Sequence, residues 1–224
     1  LLGGDLRANV VAYPYDITDL QVTVSIGNGL TRLRNAAEAR SSGVDFDFAY
    51  ATPISGLSVN GAISYNDSEY KEYFATCYRG QQAPACDTRI SPVTGLPIVA
   101  QDLSGTELYR APKWAGNLNL AYDMPISSTW ELGLSGGMSF NSGYFTDAAS
   151  NPAGRQDSYQ LFHAAIHLRS NTLDLAVIGE NLSEEFYITR SSDSSNTGGG
   201  AILADTIAAV SRGRQVKFQA SYKF

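Results

Sequence analysis

Long apolar runs are missing from this sequence. No stretch of about 18 consecutive apolar residues occurs, which excludes a helix that spans a membrane. Basic residues are also in the minority, because 16 Lys and Arg stand against 22 Asp and Glu and the net charge is -6. Nucleic-acid binding needs a basic surface, so that class of function is excluded too.

Charged residues of either sign are few. They make up 17% of the 224 residues, whereas soluble domains usually contain about 25%. The mean hydropathy of -0.16 is mildly polar. A membrane β-barrel remains compatible with that value, because lipid-facing and water-facing residues alternate along its strands and average to near zero.

Cysteine is limited to Cys77 and Cys86, in a polar segment that contains Pro84. Their spacing allows a small disulfide-closed loop in an oxidising compartment, with a reduced pair as the alternative. Neither of the two histidines lies near them, so a zinc site lacks ligands. We predict a Cys77–Cys86 disulfide and no metal or cofactor.

A strict apolar–polar alternation fills the C-terminal segment. Val216, Phe218, Ala220, Tyr222 and Phe224 alternate with polar residues. This period of two predicts a strand with one apolar and one polar face. Such a strand is typical of a membrane barrel, and the last strand of a soluble β-sandwich is the alternative.

Similar alternation predicts about nine strands along the chain. The first is expected to end at Tyr13–Asp16 and to turn through Thr18 and Asp19 into a second, followed by a polar connection from Gly29 to Arg40. Short turns are expected near positions 17, 54, 127 and 171, and long loops near 34, 90, 151 and 197. Outer-membrane barrels have this asymmetry, with short turns at one end and long loops at the other.

Aromatic residues favour the same interpretation, because they cluster near the predicted strand ends, as at bilayer interfaces. Near the short turns stand Tyr13, Tyr15, Tyr50, Tyr122, Trp130, Tyr222 and Phe224, and near the long loops Tyr65, Tyr70, Phe140, Tyr144, Phe145 and Tyr187.

Charged side chains occupy the polar faces of the predicted strands and therefore need water beside them. In a barrel they would line the lumen, while the apolar side chains, even-numbered in most strands but including Leu173, Leu175 and Val177, would contact lipid. The expected lumen residues are Arg7, Asp45, Asp47, Lys113, Asp123, Glu131, His163, His167, Arg169, Glu180, Lys217 and Lys223.

Four segments, residues 35–46, 109–114, 177–187 and 213–224, carry a family resemblance. In order and spacing they resemble the C-terminal part of a TonB-dependent outer-membrane receptor. The resemblance implies an antiparallel transmembrane barrel of 22 strands around an N-terminal plug. The plug and about thirteen strands would lie outside this chain, which starts at Leu1 without a Met or signal peptide. Nine strands, an odd number, would not close alone.

The resemblance also implies a function and partners. TonB, acting through the plug, would energise uptake of an iron–siderophore complex, haem, cobalamin or a carbohydrate across a Gram-negative outer membrane. The assembly machinery would read Phe224. Long outer loops would bind the nutrient, and we expect them from Tyr70 to Leu108, from Thr146 to Asp157 and from Ser183 to Ser211.

Other functions remain open at this point. A porin or autotransporter barrel would share the strands but have no plug. His163 and His167, with Ser135 or Ser139, could suggest a hydrolase, but no nucleophile motif surrounds the serines, so we predict no enzyme.

Two loop features also have a plainer interpretation. Residues 198–200, three glycines, fit a loop tip rather than a phosphate loop. A cluster of acidic residues could chelate a cation but is better explained as a solvated loop surface. Its members are Glu69, Glu72, Asp87 and Asp102.

Overall fold

A computed structural model describes residues 5–27, 30–90, 95–193 and 206–224. The described chain is all-β and antiparallel, with one short 3-10 helix, Pro152–Gly154. Within those ranges, no helix is both long and apolar enough to cross a membrane.

Eight strands follow one another across the main sheet, each antiparallel to the next. They are β1 (Asp5–Gly27), β2 (Leu30–Ala51), β3 (Leu57–Ala75), β6 (Trp114–Pro125), β7 (Glu131–Asn141), β10 (Tyr159–Arg169), β11 (Leu173–Glu180) and β14 (Gln215–Tyr222). Six shorter strands lie between them: β4 (Asp87–Ile90), β5 (Pro97–Asp102), β8 (Tyr144–Phe145), β9 (Arg155–Gln156), β12 (Ile188–Asp193) and β13 (Thr206–Val210). Strands β1 and β14 are the two edges of the meander.

The connections of the meander differ sharply between its two ends. Residues 52–56, 126–130 and 170–172 make short turns at one end. The opposite end carries the first loop (residues 76–113), the second loop (142–158) and the third loop (181–214). The predicted asymmetry is therefore confirmed for these six connections.

Gly56 explains how the first short turn closes. Its φ is +82°, and an added Cβ would lie 1.9 Å from the carbonyl oxygen of Asp123. Only glycine avoids both the strained backbone and the clash. The backbone N–H of Asp123 then donates to the Gly56 carbonyl at 2.9 Å, joining this turn to β6.

The prediction for the first hairpin is wrong. Strand β1 continues from Asp5 to Gly27 without a turn, and the expected polar connection is part of β2. Ile17 pairs with Ala39 and Leu20 with Ala37, so Thr18 and Asp19 are two residues opposite one. They form a β-bulge, which accepts the positive φ of 56° at Asp19 without ending the strand.

Two further expectations change with that hairpin. The described meander has eight strands rather than nine, so the expected odd strand number is wrong, and within the described residues its edge strands β1 and β14 each pair on one side. Tyr13 and Tyr15 lie within β1, opposite Gly43 and Ser41, and not at the short-turn end.

The pairing register gives the main sheet one apolar and one polar face, because paired residues share a face. One apolar row crosses six strands, and one polar row crosses five. The apolar row is Leu57, Tyr122, Leu134, Ile166, Val177 and Phe218. The polar row is Asn9, Asp47, Ala62, Asn117 and Ser139.

The apolar face is not covered by a second layer in the described structure. Phe218 is 83% exposed, Val10 67% and Ile166 54%. The buried apolar cluster lies elsewhere, around Tyr70 and Tyr73 beyond the level where β6 begins. The β-sandwich alternative is therefore wrong, because Phe46, Leu118, Leu134 and Phe218 occupy one open face instead of a dry centre between sheets.

Leu120, 47% exposed near the middle of β6, tests which face meets lipid. We expect Leu120→Arg to destabilise the folded barrel by about 2–4 kcal/mol if this face lies at the bilayer midplane. The measurement is the fraction of intact protein that migrates as a folded barrel on gels before heating. The neighbouring Ala121→Arg, on the polar face opposite Ser135, serves as the control and should change little. Equal losses in both variants would contradict the assignment of faces.

Candidate ligand-binding site at the loop end

Strands β1, β2 and β3 extend beyond the other strands at the loop end. The last pair between β3 and β6 is Tyr65 with Trp114, whose rings are 4.7 Å apart, and β3 continues to Ala75. On this extension, Tyr70 and Tyr73 are 1% exposed, and their rings are in contact, with centroids 4.6 Å apart and planes tilted by 43°. Ala39, Ala75 and Leu103 complete the cluster, with Ile17, Leu20 and Leu108 against it.

Burial raises the pKa of both tyrosines of this cluster. Removal from water raises the pKa of Tyr70 far above its usual value and raises the pKa of Tyr73 to about 12. Their phenols, neutral at physiological pH like any ordinary tyrosine, therefore stay neutral in more alkaline solution as well. The cluster around Tyr70 and Tyr73, which we call the platform, is therefore an aromatic and uncharged surface beneath the loops.

The first loop folds back onto this platform. Its strands β4 and β5 form a hairpin, and β5 pairs with the end of β3 through Phe74–Asp102 and Ala75–Gln101. Cys77 and Cys86 form the predicted disulfide, with Cα atoms 5.8 Å apart. The predicted loop from Tyr70 to Leu108 begins inside β3, because residues 70–75 continue that strand.

The described parts of the second and third loops also contain regular structure. The predicted segment from Thr146 to Asp157 lies in the second loop, around the 3-10 helix and the β8–β9 pair. The segment from Ser183 to Ser211 lies in the third loop, where β12 pairs with β13. Residues 198–200 fall outside the described part of the chain, so the expected glycine loop tip is not tested.

All three loops meet around a cavity of about 250 Å³. The extension and first loop line one side, and the second and third loops line the rest. The lining residues are Tyr73, Ala75, Thr76, Cys77, Asp147, Ala148, Ala149, Ser191, Ser192 and Asp193. An aromatic ring, small apolar side chains and two carboxylates thus converge at one place.

Ion pairs and hydrogen bonds fix the rim around this cavity. Arg155 of the second loop lies 2.5 Å from Glu107 of the first, and its guanidinium stacks over Phe145 at 4.8 Å. Arg110 of the first loop donates to the carbonyl of Thr189 in the third at 2.7 Å. A hydrogen bond from Ser104 lowers the pKa of Asp102, so this carboxyl is ionised in the folded loop.

The expected lumen residues come together on the polar face of the sheet. Arg169 lies 3.0 Å from Asp123, 3.2 Å from Glu131 and 3.9 Å from Asp174. Lys113 is an exception to this arrangement. It precedes β6, and its ammonium group lies 3.5 Å from the carboxylate of Asp67. Asp67 pairs with Ser42 and lies on the face opposite to the polar one. The other pairs are Asn9–Asp47 at 2.8 Å, Ser64–Asp45 at 2.5 Å and Lys217–Glu180 at 2.6 Å.

The structure does not assemble a hydrolase site from the candidate residues. Nδ1 of His167 lies 3.3 Å from a carboxylate oxygen of Asp174 and thus contacts an acid instead of a serine. In the strand register, Ser135 is opposite Ala165 and Ser139 is opposite Leu161, so neither serine is paired with a histidine. The backbones of Glu69 and Glu107 pair in an isolated antiparallel β-bridge, and the carboxylate of Asp102 lies 4.0 Å from the guanidinium of Arg89. In the part of the chain that the structure describes, no three metal-ligating side chains come together.

Phe224 lies beyond the end of β14 and is fully exposed, with its ring 5.2 Å from that of Tyr222. Its expected recognition by the assembly machinery remains a prediction.

Comparison with known proteins identifies the family of this chain. Residues 1–182 match the family model described as TonB dependent receptor-like, beta-barrel. The chain belongs to this family.

Solved structures of similar fold include several iron receptors. The ferric yersiniabactin uptake receptor of Yersinia pestis matches with a TM-score of 0.70 at 14% identity, over 98% of this chain and 28% of that one. The siderophore receptor PiuA of Acinetobacter baumannii matches with a TM-score of 0.65 at 17% identity, over 98% of this chain and 26% of that one. The chain thus spans little more than a quarter of these structures, and the likeness establishes the barrel fold.

Sequence reasoning missed the polar contacts between the loops of this TonB-dependent receptor barrel. Gln101, Asn151 and Ser191 are buried and hydrogen-bonded, yet their surroundings in the sequence have no period. Only the length of the loops pointed to this region.

The Cys77–Cys86 bridge gives a test of the first loop. Replacing both cysteines by serine should destabilise the loop by about 2–3 kcal/mol, because the closed ring is short. We expect faster proteolytic cleavage between positions 77 and 86 and an unchanged folded barrel on gels. Thiol alkylation of the native protein without reductant should label neither cysteine, and labelling of both would contradict the structure.

Proposed function

We propose that this chain supplies part of the outer wall and ligand-binding mouth of a receptor for TonB-energised uptake across a Gram-negative outer membrane. Family membership supports the transport class, and the convergence of the three loops on one cavity supports the position of the binding site. In this proposal the apolar face contacts lipid and the polar face lines the lumen around a plug.

A ferric siderophore is the ligand class we propose first. The similar structures are described as receptors for ferric yersiniabactin, for siderophores and for ferric catecholates. The mouth of this chain provides exposed polar groups at Ser192 and Asp193, and Tyr73 lines the same cavity although it is only 1% exposed. Haem, cobalamin and carbohydrates are the other classes to be screened.

The cavity itself can be tested by filling it. Ala148 lines the cavity in the second loop, and a tryptophan there would occupy the space that the ligand needs. We expect Ala148→Trp in the full-length receptor to weaken binding by about tenfold or more, which corresponds to about 1.4 kcal/mol. The measurement is uptake of radiolabelled ferric catecholate, hydroxamate and mixed siderophores by a receptor-deletion strain that carries the variant.

Ala209→Trp is the matched control, because Ala209 is exposed in β13 and does not line the cavity. A parallel strain without TonB should show no uptake above background. Uptake that persists without TonB would instead support a passive barrel. Equal effects of the two tryptophan variants would show that the cavity is not the binding site.

A further inference from the structure

Buried polar side chains lie between the three loops. Six polar side chains are buried in the described part of the chain, and all except Ser68 lie in these loops. They are Gln101, Thr146, Asn151, Gln156 and Ser191. Burial of polar groups is unfavourable unless they are hydrogen-bonded, so their partners decide how the loops are held.

Each of these five side chains bonds to a different loop from its own. The pairs are Gln101 Nε2 to Ala149 O at 2.7 Å, Thr146 Oγ1 with Ser191 Oγ at 2.6 Å, Asn151 Nδ2 to Asp193 Oδ1 at 3.0 Å, Ile188 N to Gln156 Oε1 at 2.5 Å, and Ser191 Oγ to Asp147 Oδ2 at 3.0 Å. The second loop takes part in every pair and stands between the other two.

Gln101 also joins two sides of the cavity. Its amide nitrogen donates to Thr76 O at 3.0 Å and to Ala149 O at 2.7 Å, and both of these residues line the cavity. Its amide oxygen accepts from Gln81 Nε2, inside the disulfide-closed segment, at 2.9 Å. One buried side chain therefore fixes the spacing between the first-loop side and the second-loop side.

Asp193 fixes the third side in the same way. One carboxylate oxygen accepts from the backbone N–H of Arg79 in the first loop at 2.5 Å, and the other accepts from Asn151 in the second at 3.0 Å. Asp193 itself lines the cavity. Every side of the cavity is thus tied to the other two by directional bonds.

We propose that Gln101 is a positioning residue that sets the width of the cavity, and that the polar contacts lock the described parts of the three loops in one arrangement before any ligand arrives. The meaning of this lock for uptake rests on the proposed function. Directional bonds between buried polar groups specify one arrangement, whereas apolar contacts alone would let the loops slide.

Distances between loops in the ligand-free receptor test this proposal without reference to transport. Spin labels are placed on non-natural amino acids, so that the disulfide stays intact, at Ala85, Ala153 and Ala208 in the first, second and third loops. Pulsed electron–electron double resonance on the full-length receptor in lipid nanodiscs then gives two distances. The first–second distance joins the labels in the first and second loops, and the second–third distance joins those in the second and third loops. We expect one narrow distance for each pair.

Gln101→Glu removes both N–H donors and sets a carboxylate against two carbonyl oxygens. We expect the first–second distance to lose its single narrow peak and the second–third distance to keep it. A general loss of structure would broaden both. Gln82→Glu is the matched control, because Gln82 is exposed in the same loop, and it should change neither distance.

Gln101→Met, which removes the hydrogen bonds without adding charge, provides the second variant if the first does not fold. It should broaden the same distance. Broad distances in the native receptor, or a narrow first–second distance in the folded Gln101→Met protein, would overturn the lock. Both results leave the uptake experiment unaffected, so failure of the lock and failure of the proposed function are distinguishable.

Discussion

The need to pair every backbone N–H and C=O within a bilayer is the constraint on which this structure depends. A strand that crosses hydrocarbon has no water to bond, so its partners must be neighbouring strands. Within the described structure, the six inner strands of the meander pair on both sides, and the edge strands β1 and β14 pair on one side. Because paired residues share a face, the alternation within each strand becomes one apolar and one polar surface of the whole sheet.

The two faces could be predicted from the sequence because alternation is a local property of each strand. The row from Leu57 to Phe218 follows directly from it. The continuation of β1 beyond Thr18 and Asp19 could not be predicted in this way. These two residues are of types common in turns, and they form a bulge only because β2 pairs beside them. A turn and a bulge use similar residues, and the partner strand decides between them.

The loops were predictable in position and length but not in their interior. Gln101 lies beside Ala75, on a strand far along the chain from its hydrogen-bond acceptor Ala149. Such contacts join residues with no periodic pattern, and only the fold brings them together. The chain therefore divides into an apolar wall governed by local alternation and a mouth governed by specific polar contacts, where ligand recognition is proposed.

A spin-label scan along residues 161–168 of β10, in the full-length receptor in a lipid bilayer, measures which face of the sheet contacts lipid. Labels at Phe162, Ala164, Ile166 and Leu168 should be accessible to oxygen dissolved in lipid. Labels at Leu161, His163, Ala165 and His167 should instead be accessible to a water-soluble nickel chelate. Leu161 is the most informative position, because its side chain is apolar but lies on the polar face, so strand geometry and side-chain hydrophobicity predict opposite results there. If accessibility showed no period of two, or if the nickel chelate reached all eight positions, the apolar face would not be the lipid-facing side of a membrane barrel.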